Sequence, residues 1–425
     1  NHLVTASEDN TAKIWGLVDG QWQEKAIIQH DDCVNGARFS PDGNYLVTAS
    51  DDNTAKVWGL VDGQWQEKAI IKHDDRVYSA RFNPDGNHLV TASFDKTAKV
   101  WKLVDGQWQE KVTLPHDDSV REAIFSPDGN HLVTVSDDDT VKVWGLVDGQ
   151  WQKKATIPHD AWVFNARFSP VGNHLVTTPR NNTAKVWVLK SKENHDKELT
   201  SQHIATIPHY DWVNNAIFSP DGNHLVTASK DNTAKIWGLV DGQCQEKAII
   251  QHTGWVNDAN FSPDGNHLVT ASDDNTAKIW GLVDDQWQEK AIIQHDGSVN
   301  SARFSPDGNY LVTASKDNTA KIWGLVDGQW QEKAIIQHDD SVNSATFSPD
   351  GNHLVTVSDD DTVKVWGLVD GQWQEKATIP HSKWVNSANF SPDGNHLVTA
   401  SEDNTAKIWG LVDGQWQEKA IIQHD

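Results

Sequence analysis

The stretch HDDSVNSATFSPDGNHLVTVSDDDTVKVW, residues 338–366, brings together His338, Ser358 and the carboxylates Asp359, Asp360 and Asp361. A histidine to carry a proton, a serine to attack and a carboxylate to orient them are the parts of a hydrolytic triad. The same histidine beside clustered aspartates is also raw material for a metal site. Either chemistry needs one such set, and this chain holds many. Trp366, Trp323, Trp280 and Trp237 recur at a spacing of 43, Trp187 precedes them by 50, and Trp144, Trp101, Trp58 and Trp15 resume the spacing of 43. Trp409 extends the series forward. Nine full repeats begin at Asn1, Asn44, Asn87, Asn130, Asn173, Asn223, Asn266, Asn309 and Asn352, and a partial tenth begins at Asn395. A period of this length marks a repeat architecture in which each unit buries its core only against its neighbours.

Composition narrows the partners. A formal net charge of -24 disfavours nucleic acid and lipid surfaces, whose recognition uses clustered Lys and Arg. The two cysteines, Cys33 and Cys244, fall at non-equivalent repeat positions, so no disulfide framework or zinc spacing is present and a reducing, cytoplasmic setting is expected. No apolar run has the length of a membrane span and no signal peptide is visible. With no Met, and with both ends inside a repeat, the sequence reads as a fragment of a longer chain. Calcium loops, phosphate loops, G-x-S-x-G and H-E-x-x-H do not occur, so no metal, cofactor or catalytic residue is assigned.

Within one repeat, Ser341–Phe347, His353–Ser358, Thr362–Trp366 and Gln374–Ile379 are short runs rich in Val, Ile, Thr and aromatics separated by turn signals. They are expected to be strands a, b, c and d. The connections SPDGN and GLVDGQ each carry the Asp-Gly pair that tight hairpins favour. Apolar residues on both strand faces require each small sheet to be covered on both sides, which radially stacked four-stranded blades achieve.

The His ahead of strand a, the FSPDG turn, the Ser-x-Asp closing strand b and the Trp ending strand c together make the chain similar, over essentially its whole length, to WD-repeat β-propellers. The Asp that follows the Trp in that family is missing, since Trp366 is followed by Gly367. The resemblance implies an all-β fold, residues 1–425, of four-stranded antiparallel blades forming one large ring or two truncated rings. It also implies that His338, Ser358, Asp360 and Trp366 form a buried hydrogen-bonded tetrad, the imidazole bridging serine and aspartate and the serine accepting from the indole N–H. His30, Ser50, Asp52 and Trp58, and His73, Ser93, Asp95 and Trp101, repeat the set, as do the repeats led by His116, His209, His252, His295 and His381. A structural clip is needed once per blade, so repetition argues for fastening and against catalysis. The NHL histidines, such as His353, exchange with Tyr45 and Tyr310 and are expected to be solvated strand starts; the Trp of GQWQE, such as Trp373, is expected to cover an outer strand edge.

Divergence among the repeats is concentrated. Ahead of strand a stand Cys33, Arg76, Ser119, Trp162, Trp212, Trp255, Ser298, Ser341 and Trp384; two positions on stand Asn35, Tyr78, Arg121 and Phe164, then Asn throughout. The b–c turn varies likewise, with Phe94 and Arg180 among its residues. In an up-and-down blade the d–a and b–c connections emerge on the same rim, so these positions share a face. Trp, Tyr and Arg dominate interface energetics, and Arg76, Tyr78, Phe94, Arg121, Trp162, Phe164, Arg180, Tyr210, Trp212 and Trp255, with Trp384, are the expected contacts for a protein or peptide partner. In the fifth repeat Ser-x-Asp becomes Pro179, Arg180, Asn181, which should leave His159 and Trp187 without tetrad partners, and the charged stretch Val188–Gln202 is expected to be a projecting loop or a ring junction. The expected function is a non-enzymatic interaction module. A repeat region of a signalling NTPase or kinase is the alternative, and a propeller enzyme the least favoured.

Overall fold

The computed structural model describes residues 2–191, 199–240 and 242–424, in which the regular elements are β-strands arranged in ten antiparallel sheets. The first sheet has three strands, β1 (His2–Ala6), β2 (Thr11–Val18) and β3 (Gln21–Gln29). The second shows the full pattern: β4 (Val34–Phe39), β5 (Tyr45–Ser50), β6 (Thr54–Val61) and β7 (Gln64–Lys72), hydrogen-bonded in that order. Eight further four-stranded sheets repeat it, so the fold class is the β-propeller blade read from the sequence.

The turns account for the strand ends. In the a–b connection Gly43 N donates to Ser40 O at 2.9 Å across Pro41 and Asp42, and Gly43 takes a positive φ of 72°. The c–d connection is tighter than GLVDGQ suggested. Asp62 (φ 50°) and Gly63 (φ 78°) form a two-residue turn with both central residues left-handed. Strands c and d therefore run further than expected, to Thr362–Val369 and Gln372–Pro380 in the repeat quoted above.

The core lies between sheets. Val47, Ala49, Ala55, Val57 and Ile71 of the second sheet pack on Val77, Ala80, Leu89 and Trp108 of the third. This interleaving corrects two expectations. Trp108, from a GQWQE segment, is not a cover for an outer edge but is 7% exposed inside the preceding sheet interface. Tyr45 meets it edge-on at 5.6 Å, and His88 meets Trp151 in the same way at 6.2 Å. The NHL position thus offers an aromatic edge to an indole, which a His or a Tyr does equally well.

Two compact units are distinguished. One contains residues up to Asn181, Lys185–Thr206 and His424; the other contains Asn182–Ala184 and Ile207–Gln423. The division runs through the fifth sheet, which has the four strands Val163–Phe168, His174–Pro179, Thr183–Ser191 and Leu199–Pro208. Part of Val188–Gln202 is therefore strand, not loop, and residues 192–198 of that stretch lie outside the described residues. In the first unit His424 joins the three-stranded sheet, with Nδ1 2.8 Å from Asp9 Oδ2 and Nε2 2.9 Å from Thr5 Oγ1.

Candidate functional site

The repeated histidine is a clip, but not the expected one. His338 Nδ1 lies 2.8 Å from Asp360 Oδ2, and His338 Nε2 lies 2.8 Å from Thr356 Oγ1, not from Ser358. His30 pairs with Asp52 and Thr48, and His73 with Asp95 and Thr91, in the same geometry. Thr356 and Ser358 are two apart on strand b, so they share a face. Threonine sits one pair further in, opposite the ring, whereas serine ends the strand. There Ser358 Oγ donates to Asp340 O at 3.0 Å and accepts from Asp360 N at 3.1 Å, and Ser50 and Ser93 do the equivalent. Ser50, Ser93 and Ser358 therefore tie the b–c turn to the d–a loop and belong to no histidine tetrad. The indole expectation also fails. Trp58, Trp101 and Trp366 bury Nε1 without a hydrogen-bond partner among the described residues, while Trp144 Nε1 donates to Thr134 Oγ1 at 3.0 Å.

Electrostatics complete the clip. Burial pulls the His338 imidazole below its ordinary value, and Asp360 offsets only part of that. Burial works to raise the Asp360 carboxyl, but hydrogen bonds from Thr362, the Asp339 amide and His338 outweigh it and hold it at about 2. A neutral ring thus donates Nδ1–H to an ionised aspartate and accepts the threonine hydroxyl at Nε2. Both ring nitrogens are occupied, the His338 side chain is fully buried, and no serine oxygen faces it. The triad chemistry suggested by residue types does not assemble. Groups of three or more His, Cys, Asp or Glu able to hold a metal do not occur among the described residues.

The fifth repeat is the exception. His159 Nδ1 and Nε2 are buried with no hydrogen-bond partner among the described residues, and burial, helped by Lys185 and His203, lowers the ring to about 3. Trp187 fares better than expected, since its Nε1 reaches Thr177 Oγ1 at 3.3 Å.

The variable positions of each repeat meet. The residue after strand b donates its backbone N–H to the residue ahead of strand a: Phe94 to Arg76, Arg180 to Trp162, Lys230 to Trp212, Asp273 to Trp255 and Glu402 to Trp384, at 2.7–3.0 Å. The third variable position explains why Asn is its usual occupant. Asn35, Asn214, Asn257 and Asn300 each donate Nδ2 to the carbonyl that opens strand a of the next sheet, Val77, Val256, Val299 and Val342. Tyr78, Arg121 and Phe164 replace this inter-blade staple in three successive sheets of the first unit.

What they build is an exposed aromatic and cationic surface. Tyr78 and Phe94 pack with ring centroids 4.9 Å apart. The Arg121 guanidinium lies 5.7 Å from both the Tyr78 and Trp162 ring centres, held by a hydrogen bond from Nε to Asp137 Oδ1. Arg76 lies 3.6 Å from Asp51. Trp162 is 50% and Phe164 69% exposed. In the second unit Lys230 Nζ sits 4.9 Å from the Trp212 ring centre and 4.6 Å from that of Trp255, while Tyr210 and Trp384 also stand exposed. The expected contacts thus fall in two groups, Arg76–Arg180 in one unit and Tyr210–Trp255 with Trp384 in the other.

Arg38 and Arg81 on strand a are contacts that sequence reasoning missed, and they join Arg121 and Arg180. Arg38, Arg81, Arg121 and Arg180 line one cavity of about 450 Å³ with Glu122 and Trp162, and Arg81 Nη2 donates to Glu122 Oε1 at 2.6 Å. In the second unit Asp258 accepts from Asn215 and Asn260, and burial raises its carboxyl against the pull of Arg303. The signal was available: the position of Arg38 is Arg81, Ile124, Arg167, Ile217, Asn260, Arg303, Thr346 and Asn389 in later repeats.

Comparison with known families gives eight matches to the family described as WD domain, G-beta repeat, over residues 22–59, 65–102, 108–145, 201–238, 242–281, 287–324, 330–367 and 373–410. The longest unmatched interior stretch, 146–200, carries most of the irregular repeat. The comparison with curated proteins returns no match.

Proposed function

The chain belongs to the WD domain, G-beta repeat family, and on that premise we propose that it is a non-enzymatic recognition module that docks a protein or peptide on the face made by its d–a and b–c loops. Propellers of this family are generally protein-interaction scaffolds. One observation carries the finer reading. In three successive sheets Tyr78, Arg121 and Phe164 stand where four other repeats have an asparagine that staples neighbouring blades. A buried or half-buried hydrogen bond is worth about 0.5–1.5 kcal/mol, and its repeated replacement by interface-type residues at exposed positions is a loss to stability that contact with a partner would explain. Loops of this kind on a fixed scaffold are where specificity resides.

Selection from a random peptide display library on the wild-type protein, followed by affinity measurement on a Trp162→Ala, Trp212→Ala, Trp255→Ala variant, tests the reading. Selected peptides should lose most of their affinity for the variant while its melting temperature holds. Peptides that bind both proteins equally would show that recognition lies elsewhere. Among the described residues no helix is long and apolar enough to cross a membrane, and a cytoplasmic location remains part of the proposal.

A further inference from the structure

The arginines are distributed far from evenly. The chain has seven, and six of them, Arg38, Arg76, Arg81, Arg121, Arg167 and Arg180, lie in the first unit. Lysine, the commoner cation, is spread through every repeat. Four of the seven converge on the single cavity described above, in a chain whose net charge is -24. The repeats provide an internal control. Where the first unit has Arg38 and Arg81, four of the five sheets of the second have Ile217, Asn260, Thr346 and Asn389; where it has Arg121, they have asparagine.

Local carboxylates cancel this charge only in part. Glu122 is engaged by Arg81 and Asp137 by Arg121, while Arg38 makes no ion pair or side-chain hydrogen bond among the described residues. Burial and the neighbouring Arg81 lower the Arg38 guanidinium, with Glu122 offsetting part of that. A second cavity of about 640 Å³ shares Arg81, Glu122 and Phe164 with the first and adds Arg167, so the cationic lining continues along strand a. Exposed Trp162 and Phe164 are part of the lining of the first cavity.

We propose that this cavity seats an acidic peptide segment, its carboxylates on the arginines and an apolar side chain against Trp162 and Phe164. Guanidinium groups match carboxylates in planar two-point contacts that lysine cannot make, and the adjoining aromatic surface favours a peptide over a bare anion. This assignment rests on the reading of the loop rim as the docking face, and names the chemistry of what docks there.

The experiment is fluorescence anisotropy of a short labelled Glu-rich peptide carrying one Phe. Its comparison arms are the same peptide with Lys for Glu, with phosphoserine for Glu, and oligouridylate. The protein is tested as wild type, as R38Q/R180Q and as W162A/F164A, with a melting curve for each. The Glu peptide should bind and the Lys peptide should not. R38Q/R180Q should weaken binding about tenfold or more, the scale of one charged contact, without a shift in melting temperature, and added salt should weaken the wild-type complex. Equal binding of Glu and Lys peptides, unchanged affinity in R38Q/R180Q, binding only of the phosphorylated peptide, or preference for oligouridylate would each overturn the assignment. Library peptides that depend on the rim tryptophans but show no acidic preference would remove this inference and leave the rim intact. Glu-peptide binding that responds to R38Q/R180Q and not to W162A/F164A would overturn the assignment as stated, because no apolar side chain of the peptide would then rest on Trp162 and Phe164.

Discussion

Thr356 and Ser358 sit two positions apart on one strand face, and chemistry alone does not say which hydroxyl meets the imidazole. Resemblance to WD-repeat propellers implies serine, whereas the constant Thr of HLVT recurs just as regularly. Position along the strand decides it, since His338 Nε2 reaches the inner of the two. Replacing Thr356 with Val should therefore leave the ring nitrogen buried and unpaired, at a cost of about 1–3 kcal/mol in urea unfolding. Asp360→Ala should cost at least as much, because it also frees the Asp339 and Thr362 amides. Ser358→Ala should leave the His338 contacts intact and open the link to the Asp340 carbonyl instead. The fifth repeat supplies the converse test. Pro179→Ser with Asn181→Asp gives His159 the aspartate that its counterparts have; the melting temperature should rise, and the His159 imidazole, followed by NMR, should titrate above its present value of about 3.

Strands and turns were largely legible, because alternation and Asp-Gly pairs act locally. Strand bounds for a and b agree with the sequence reading to within a residue, while c and d run on into a turn of only two residues. Asp284 and Asp285 show what that turn demands: both take positive φ, 49° and 59°, where other repeats place Gly second. Asp285→Gly should therefore stabilise the fold by about 1 kcal/mol, the cost of holding an L-residue left-handed, as a higher urea midpoint would show. The inter-blade staple was not legible, since the partner of Asn35 is the Val77 carbonyl of the next repeat, a contact that pattern and spacing do not announce. It leads to an opposed pair of effects in one element. Tyr78→Asn and Arg121→Asn should each restore a staple, raising stability by about 0.5–1.5 kcal/mol, and should each weaken peptide binding. Stabilisation without loss of binding would detach these residues from recognition.

At the scale of the whole chain the repeat count and blade architecture follow from the tryptophan spacing, but the arginine-lined cavity does not, because it is assembled from residues far apart in sequence that converge only once the sheets stack. The same stacking multiplies a small titration effect. Eight histidines paired to Asp in their clips, and His159 without a partner, have their ring values lowered from 6.5 mainly by burial. Below pH 6.5 the unfolded chain takes up protons that the folded chain refuses, so stability must fall as pH falls and is fully present above 6.5. The clip carboxylates held at about 2, Asp138, Asp274, Asp317 and Asp360, add a further loss once pH drops below the unfolded value of 3.8. Overall charge pulls the other way. With a net charge of -24, protonation on the way down relieves self-repulsion and favours the compact state. The two are separable because salt screens repulsion between exposed charges and leaves burial almost untouched. In high salt, urea midpoints should be flat from pH 8 to 7 and decline steadily from 6.5 to 5, where few carboxylates titrate; a midpoint that holds or rises across that window would mean the clip histidines are not excluded from protonation in the folded chain.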